Sequence, residues 1–123
     1  MSAERRALVV DDDAGIRVLV SRILKRHGFT VDAVPDGAEA IEQILQHHYN
    51  VIALDLMMPR IDGFGVIRYL ADHQPEALAR VLVMTAYGPA AMQRVCPPVS
   101  HFVEKPFEIH RLLAEAAECS AAE

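Results

Sequence analysis

Residues 51–63 read VIALDLMMPRIDG, an apolar run that ends in Asp55 and leads into a proline-containing turn. A second apolar run, ALVV at residues 7–10, also ends in acid, at Asp11 and Asp12. Short continuous apolar runs of this kind are typical of strands that are covered on both faces. Two such strands that both stop in carboxylates predict one acidic pocket. Several carboxylates held close together need a cation to remain ionised, so the sequence indicates metal-assisted chemistry.

Strand-like and helix-like patterns alternate along the whole chain. The predicted strands are residues 7–10, 31–34, 51–54, 80–85 and 102–103. Between and after them, apolar residues recur at helical spacing, and the helices are expected to begin at the caps or turn residues Asp13, Asp36 and Asp62. Five βα units in a row predict a parallel sheet with helices on both faces. Asp32 lies inside the second strand, which favours an edge position for it.

The composition limits the classes of function. The length of 123 residues predicts a single domain over residues 1–123, and the net charge of −5 argues against direct nucleic-acid binding. No apolar run approaches the roughly 20 residues that a membrane span needs, and the first residues do not have a signal-peptide pattern. We therefore expect a cytoplasmic protein without a membrane segment. Cys96 and Cys119 form no metal-type cluster and are expected to be reduced thiols.

The stretch between Thr85 and Phe102 departs from the regular pattern. Pro89 suits the first turn of a helix, and Pro97-Pro98 would end that helix. Only about two turns fit between these prolines, and helices of that length need tertiary contacts. We predict a short or irregular fourth helix here.

Polar residues lie at the carboxyl ends of four of the predicted strands. They are Asp11 and Asp12, Asp55, Thr85 and Lys105. In open parallel sheets, ligands bind beyond the carboxyl ends of the strands. Taken singly, a strand-end aspartate is often a helix cap, a threonine is an ordinary strand residue, and a lysine is an ordinary surface residue. Their joint position favours a functional site.

This combination resembles the receiver domain of bacterial two-component response regulators. The resemblance is carried by the Asp pair after Leu8-Val9-Val10, by Asp55 in Asp-Leu-Met-Met-Pro-x-x-Asp-Gly, by Thr85-Ala86 and by Lys105-Pro106-Phe107. It runs from about residue 7 to residue 118. It implies an α/β fold of the flavodoxin-like type, a doubly wound five-stranded parallel sheet with strand order 2-1-3-4-5, which agrees with the five βα units.

The resemblance also implies a role for each matching residue. Asp55 would accept a phosphoryl group from a kinase phosphohistidine. Mg²⁺, or Mn²⁺ as an alternative, would be held by Asp11, Asp12, Asp55 and the backbone carbonyl of Met57. The phosphoryl group would be bound by the Thr85 hydroxyl, the Ala86 N–H and the Lys105 ammonium. Thr85 and Phe102 would act as the switch pair, and the Lys105–Pro106 peptide bond would be cis.

The partners implied are a sensor histidine kinase or a histidine phosphotransfer protein, and an unknown output partner. Phosphorylation would alter the face formed by the fourth helix, the fifth strand and the last helix, in a monomer or a phosphorylation-linked dimer. The leading hypothesis is a signalling module and not a turnover enzyme. Two other classes remain open, a pseudo-receiver that acts only as an interaction surface and a Mg²⁺-dependent phosphatase with an aspartyl nucleophile. Such phosphatases need an acid two residues after the nucleophile, where this chain has Met57.

Overall fold

One parallel sheet of five strands forms the centre of the molecule. The computed structural model describes residues 4–58, 60–86, 99, 101–105 and 108–121. The strands are β1 (Arg5–Val10), β2 (Phe29–Val34), β3 (Val51–Asp55), β4 (Val81–Thr85) and β5 (His101–Glu104). Their order in the sheet is β2-β1-β3-β4-β5, and every neighbouring pair is parallel. The predicted strand order and the edge position of β2 are confirmed.

Helices cover both faces of this sheet. They are α1 (Ala14–Arg26), α2 (Gly37–Gln46), α3 (Gly63–His73), a 3₁₀-helix (Pro75–Arg80) and the last helix (Ile109–Ala121). Side chains alternate between the two faces of a strand. Leu8 therefore packs in the cluster that includes α2 and α3 residues, whereas Val9 packs in the cluster that includes residues of α1 and the last helix. Both faces of β1 are buried, which explains its continuous apolar sequence.

Aspartate side chains begin three of the helices, as the sequence predicted. Asp13 accepts hydrogen bonds from the Gly15 and Ile16 N–H groups at 2.8 and 3.2 Å. Asp36 accepts one from the Glu39 N–H, and Asp62 accepts one from the Gly65 N–H. Each cap satisfies N–H groups that the helix itself leaves without partners and contributes about 1 kcal/mol. These caps fix where each helix starts relative to the strand before it.

Strands β1 and β2 each begin two residues earlier than predicted. Arg5 pairs in register with Phe29, and Arg6 pairs with Thr30. The Arg5 guanidinium lies 4.3 Å from the centre of the Phe29 ring. Apolar patterning missed Arg5, Arg6 and Thr30 because the backbone ladder does not require apolar side chains. Phe29 is apolar and buried, but the polar Thr30 separates it from the predicted strand.

Arg80 was predicted to begin a strand, but it ends the 3₁₀-helix Pro75–Arg80. Its side chain is buried, and Nε donates a 2.9 Å hydrogen bond to the Tyr49 carbonyl. A buried guanidinium needs a hydrogen-bond acceptor, and the Tyr49 carbonyl lies in a loop that is distant in sequence. The strand therefore begins one residue later, at Val81.

The predicted short fourth helix falls in residues 87–98 and 100, which lie outside the described residues. Val99 is described and is buried against the cluster on the α2–α3 side of the sheet. Among the described helices, none combines the length and apolar character that crossing a membrane requires.

Candidate functional site

The carboxyl ends of β1 and β3 bring three carboxylates together. Asp11 and Asp12 directly follow β1, and Asp55 is the last residue of β3. One oxygen from each of these residues lies within 4.8 Å of the other two. Because β1 and β3 are adjacent and parallel, their carboxyl ends meet at the same edge of the sheet. The predicted acidic pocket is therefore present.

Asp11 is the fully buried carboxylate of this pocket, and both of its oxygens accept hydrogen bonds. Its side chain is fully buried, and Oδ1 accepts a 2.9 Å hydrogen bond from the Asp13 N–H. The Lys105 ammonium donates a 2.7 Å hydrogen bond to Oδ2. The Arg17 side chain donates from Nη1 to the Asp11 backbone carbonyl at 2.8 Å. Asp12, in contrast, is exposed to solvent.

Asp55 is nearly buried and has fewer partners. Oδ1 accepts a 3.3 Å hydrogen bond from the Met57 N–H, and Oδ2 lies 3.7 Å from the Lys105 ammonium. Burial, followed by the nearby charge of Asp11, raises the pKa of Asp55 from 3.8 to about 6, against the lowering effect of Lys105. The ionised form of Asp55 is thus disfavoured by its surroundings. A cation bound between the carboxylates would favour it again.

Two close backbone contacts shape the turn after β3. The Gly63 N–H donates to the Leu56 carbonyl at 3.0 Å, and a Cβ at Gly63 would collide with the Asp55 carbonyl oxygen. The Gly37 N–H donates to the Ile61 carbonyl at 2.8 Å, and a Cβ at Gly37 would collide with that same oxygen. Only glycine fits at either position. Close packing against the backbone therefore explains why glycine follows the cap aspartate at residues 36–37 and at residues 62–63.

Arg60 adds an ion pair to the same turn. Its backbone has a φ of 62°, in the left-handed region that residues with a Cβ rarely adopt. Nη1 lies 3.1 Å from Oδ2 of Asp36, the buried aspartate that begins α2. The turn that carries Met57 is therefore held between β3 and the start of α2. The Met57 side chain itself is half exposed.

Thr85 and Lys105 lie at the carboxyl ends of neighbouring strands, since Thr85 ends β4 and Lys105 follows β5. Thr85 is buried at the end of β4, beside the register pair Asp55 and Met84. The Lys105 N–H donates a 2.6 Å hydrogen bond to the Thr85 carbonyl, which ties the residue after β5 to β4. Ala86 follows in an exposed bend. The Lys105 ammonium thus contacts the acidic pocket, and Thr85 ends the strand next to β3 at the same edge of the sheet.

Phe102 lies within β5, opposite Val83 in the ladder, and is partly buried against the cluster on the α2–α3 side. Thr85 pairs with Glu104 in the same ladder. The predicted cis peptide bond involves Pro106, which lies outside the described residues.

Sequence reasoning missed two arginines of this region. Arg17 contacts Asp11 from the first turns of α1, and a basic residue four positions after the cap Asp13 was the available signal. Arg60 falls in the turn after β3, and nothing local in the sequence indicates its ion pair with Asp36.

The donors in the pocket suit a hard divalent cation. They are carboxylate oxygens from the buried Asp11 and Asp55 and from the exposed Asp12. Mg²⁺ prefers oxygen ligands and is commonly bound by one or two carboxylates together with water and substrate oxygens. Three carboxylates against one lysine leave a negative charge that such a cation would balance. The residues present therefore fit Mg²⁺.

Comparisons with known proteins agree with this geometry. Residues 7–117 match the family model described as the response regulator receiver domain. The chain is 38% identical over 115 residues to the response regulator MprA of Mycobacterium ulcerans, covering 89% of this chain and 47% of that protein. It is 32% identical over 111 residues to the chemotaxis protein CheY of Bacillus subtilis, covering 88% and 91%. The chain thus spans about half the length of the MprA regulators that it matches.

Solved structures give the same result. A putative response regulator from Chloroflexus aurantiacus superposes with a TM-score of 0.88 at 25% identity, covering 97% of this chain and 99% of that one. The chemotaxis response regulator CheY4 of Vibrio cholerae superposes with a TM-score of 0.82 at 27% identity, covering 95% and 99%. The chain therefore belongs to the response regulator receiver domains, a family that serves two-component signalling and not metabolic turnover.

Proposed function

We propose that Asp55 accepts a phosphoryl group from the phosphohistidine of a sensor histidine kinase or a histidine phosphotransfer protein. The observation that supports this most is the position of Lys105, whose ammonium lies 2.7 Å from Asp11 and 3.7 Å from Asp55. A lysine between two carboxylates can balance the charge of an added phosphoryl group. This function places the chain in the cytoplasm, where the proposed donor would meet it.

In the proposed step, a carboxylate oxygen of Asp55 attacks phosphorus and forms an oxygen–phosphorus bond. The nitrogen–phosphorus bond of the phosphohistidine breaks, and its electron pair returns to the imidazole nitrogen, so an aspartyl phosphate forms. Asp55 must be ionised to attack. The Met57 N–H and Lys105 both favour that form, since each lowers the pKa of Asp55 against the effect of burial.

Receiver domains bind Mg²⁺ at an acidic pocket. In this chain we assign the ion, with Mn²⁺ as an alternative, to Asp11, Asp12, Asp55 and the Met57 backbone carbonyl. When bound, the ion would supply positive charge to the phosphoryl oxygens. Asp12 is suited to direct ligation because it is exposed, whereas both oxygens of Asp11 already accept hydrogen bonds.

The remaining groups would bind and report the phosphoryl group. Thr85 would donate its hydroxyl and Ala86 its N–H, and Lys105 would move from Asp11 toward the new charge. Thr85 and Phe102 would then act as a coupled switch pair that alters the face around β5 and the last helix. An output partner, or a second copy of the chain, would recognise that altered face.

Phosphorylation by acetyl phosphate tests the assignment directly. We expect intact mass to increase by one phosphoryl group in the presence of Mg²⁺, and not after chelation. Asp55→Asn should abolish the increase. Asp62→Asn is the matched control, because asparagine can replace aspartate as a helix cap, and it should be modified like the wild type.

Two outcomes would favour the other functional classes. A chain that neither binds Mg²⁺ nor becomes modified would be a pseudo-receiver. A chain that releases phosphate from a small phosphomonoester over many turnovers would be a phosphatase. Modification that persists in Asp55→Asn would show that the phosphoacceptor is a different residue.

A further inference from the structure

A second group of metal-ligand side chains lies at the opposite end of β5 from Lys105. His101 is the first residue of β5, while Glu115 and Glu118 lie three positions apart on the last helix. Residues at that spacing share one face of a helix. One ligand atom from each of the three residues lies within 4.8 Å of the other two. At the rise of a strand, His101 and Lys105 are about 13 Å apart along the chain, so this group is separate from the acidic pocket.

We propose that His101, Glu115 and Glu118 bind a divalent transition metal of the Zn²⁺ class. The imidazole Nδ1 and one oxygen from each carboxylate supply three ligands, and water completes a four-coordinate site. An imidazole nitrogen selects Zn²⁺, Co²⁺, Ni²⁺ or Cu²⁺ over Mg²⁺, which prefers oxygen. The site therefore takes a different class of ion from the acidic pocket.

The geometry requires little movement. Nδ1 of His101 lies 2.9 Å from Oε1 of Glu115. With metal bonds of about 2.0–2.2 Å, adjacent ligand atoms of a tetrahedral site are about 3.4 Å apart. The two atoms thus separate by about half an ångström to admit the ion. Glu118 is exposed, so its side chain can turn toward the ion without disturbing packing.

The two inner ligands are already fixed in place. The His101 and Glu115 side chains are only 19% and 16% exposed. Glu115 lies on the last helix beside the face that Leu112, Ala116 and Cys119 anchor in the core. His101 belongs to an edge strand, so the ion can approach from solvent. A partly buried pair with an exposed third ligand combines preorganisation with access.

The charge of the group is also suited to a divalent cation. Among the described residues, no lysine or arginine forms an ion pair with Glu115 or Glu118. Burial raises the pKa of the neighbouring Cys119 thiol to about 12, and the charges of these two carboxylates add to that effect. A bound divalent cation would balance the charges of these two carboxylates.

A Co²⁺ titration followed by visible absorption tests the site. Millimolar Mg²⁺ is present throughout to occupy the acidic pocket. Four-coordinate Co²⁺ absorbs much more strongly than six-coordinate Co²⁺, so the spectrum distinguishes a histidine-containing site from an all-oxygen one. We expect the wild type to show an intense absorption band. The band should disappear when added Zn²⁺ displaces the Co²⁺.

Matched variants assign the ligands. His101→Gln and Glu118→Gln should each weaken Co²⁺ binding by about tenfold or more, as is typical when a metal site loses a supporting group. His110→Gln and Glu108→Gln change exposed residues of the same types near the same helix, and they should bind within about twofold of the wild type. Asp55→Asn should also leave the band unchanged.

Three results would overturn the proposal. An absent band would mean that His101 and Glu115 form an ordinary ion pair only. Equal binding in His101→Gln and His110→Gln, or loss of the band in Asp55→Asn, would place the ion elsewhere. If His101→Gln does not fold, Glu118→Gln decides alone, because this exposed residue can be changed without disturbing the core.

Discussion

The Lys105 ammonium lies 2.7 Å from the Asp11 carboxylate, and this contact joins the residue after edge strand β5 to the residue after central strand β1. It passes over the ends of β3 and β4, which lie between them in the sheet. Asp55 is 3.7 Å from the same ammonium. Lys105 thus neutralises the fully buried Asp11 before any phosphoryl group arrives. It would have to leave Asp11, at least in part, to bind a phosphoryl group on Asp55.

Replacing Lys105 with methionine should destabilise the fold as well as slow phosphorylation. Asp11 would remain buried without its cationic partner, and removing one member of a buried pair costs several kcal/mol. Because Lys105 is partly exposed, we expect a loss of about 2 kcal/mol in the free energy of unfolding. Urea denaturation at neutral pH without metal measures it. Lys25→Met changes the only other lysine, which is exposed, and should alter the free energy by less than about 0.5 kcal/mol. Equal effects of the two changes would contradict a structural role for Lys105.

Mg²⁺ should raise the melting temperature, because a ligand that binds only the native state stabilises it by about 2.7 kcal/mol at a hundredfold excess over Kd. Asp12→Asn should reduce this shift strongly, since it removes an exposed candidate ligand. Asp13→Asn removes the same charge one residue later and keeps the cap of α1. The shift in Asp13→Asn should match that of the wild type. A Mg²⁺ shift that is lost equally in both variants would indicate a general charge effect and not a site.

The metal-free protein should become less stable as pH rises from about 4 to about 6. The pKa of Asp55 is raised from 3.8 to about 6, so the native state holds this proton in a range where the unfolded state has lost it. Asp55→Asn removes the unfavourable ionisation and should be more stable than the wild type at pH 7, by about 1 kcal/mol after allowance for solvent screening.

The two proteins should converge below pH 4, where Asp55 is protonated in both states. Saturating Mg²⁺ should abolish the advantage of Asp55→Asn at pH 7, because the wild type then gains a bound cation. The measurement is the free energy of unfolding of the wild type and of Asp55→Asn, each in chelator and in saturating Mg²⁺, over a series of pH values. A constant difference between the two proteins at all pH values would show that ionisation of Asp55 is not its cause.

Replacing Arg60 with glycine should cost less stability than replacing it with alanine. Both changes remove the ion pair with Asp36, but only glycine also relieves the left-handed backbone at a φ of 62°. We expect Arg60→Gly to be about 1 kcal/mol more stable than Arg60→Ala. Arg68→Ala, at an exposed position of α3, controls for the loss of an arginine. If Arg60→Ala melts at a higher temperature than Arg60→Gly, the left-handed φ of Arg60 carries no strain.

Local sequence patterns determined the elements and the acidic half of the site. The apolar runs that end in Asp11 and Asp55 predicted two buried strands, and parallel neighbours necessarily present their ends together. The caps Asp13, Asp36 and Asp62 were also predictable, because a cap bonds to groups two or three residues away. Patterning was weaker at Arg5, Arg6 and Thr30, where the ladder continues without apolar side chains.

Tertiary structure alone decided which charged partners meet. Lys105 and Asp11 are 94 residues apart, and their contact depends on the order of all the strands between them. The pairs Arg60 with Asp36 and His101 with Glu115 likewise join different elements. The preference of an arginine or a histidine for a carboxylate is general, so the sequence offers many equivalent choices. Packing the helices on the sheet removes most of these choices, because each charged group can pair only with the partners that the fold places within reach.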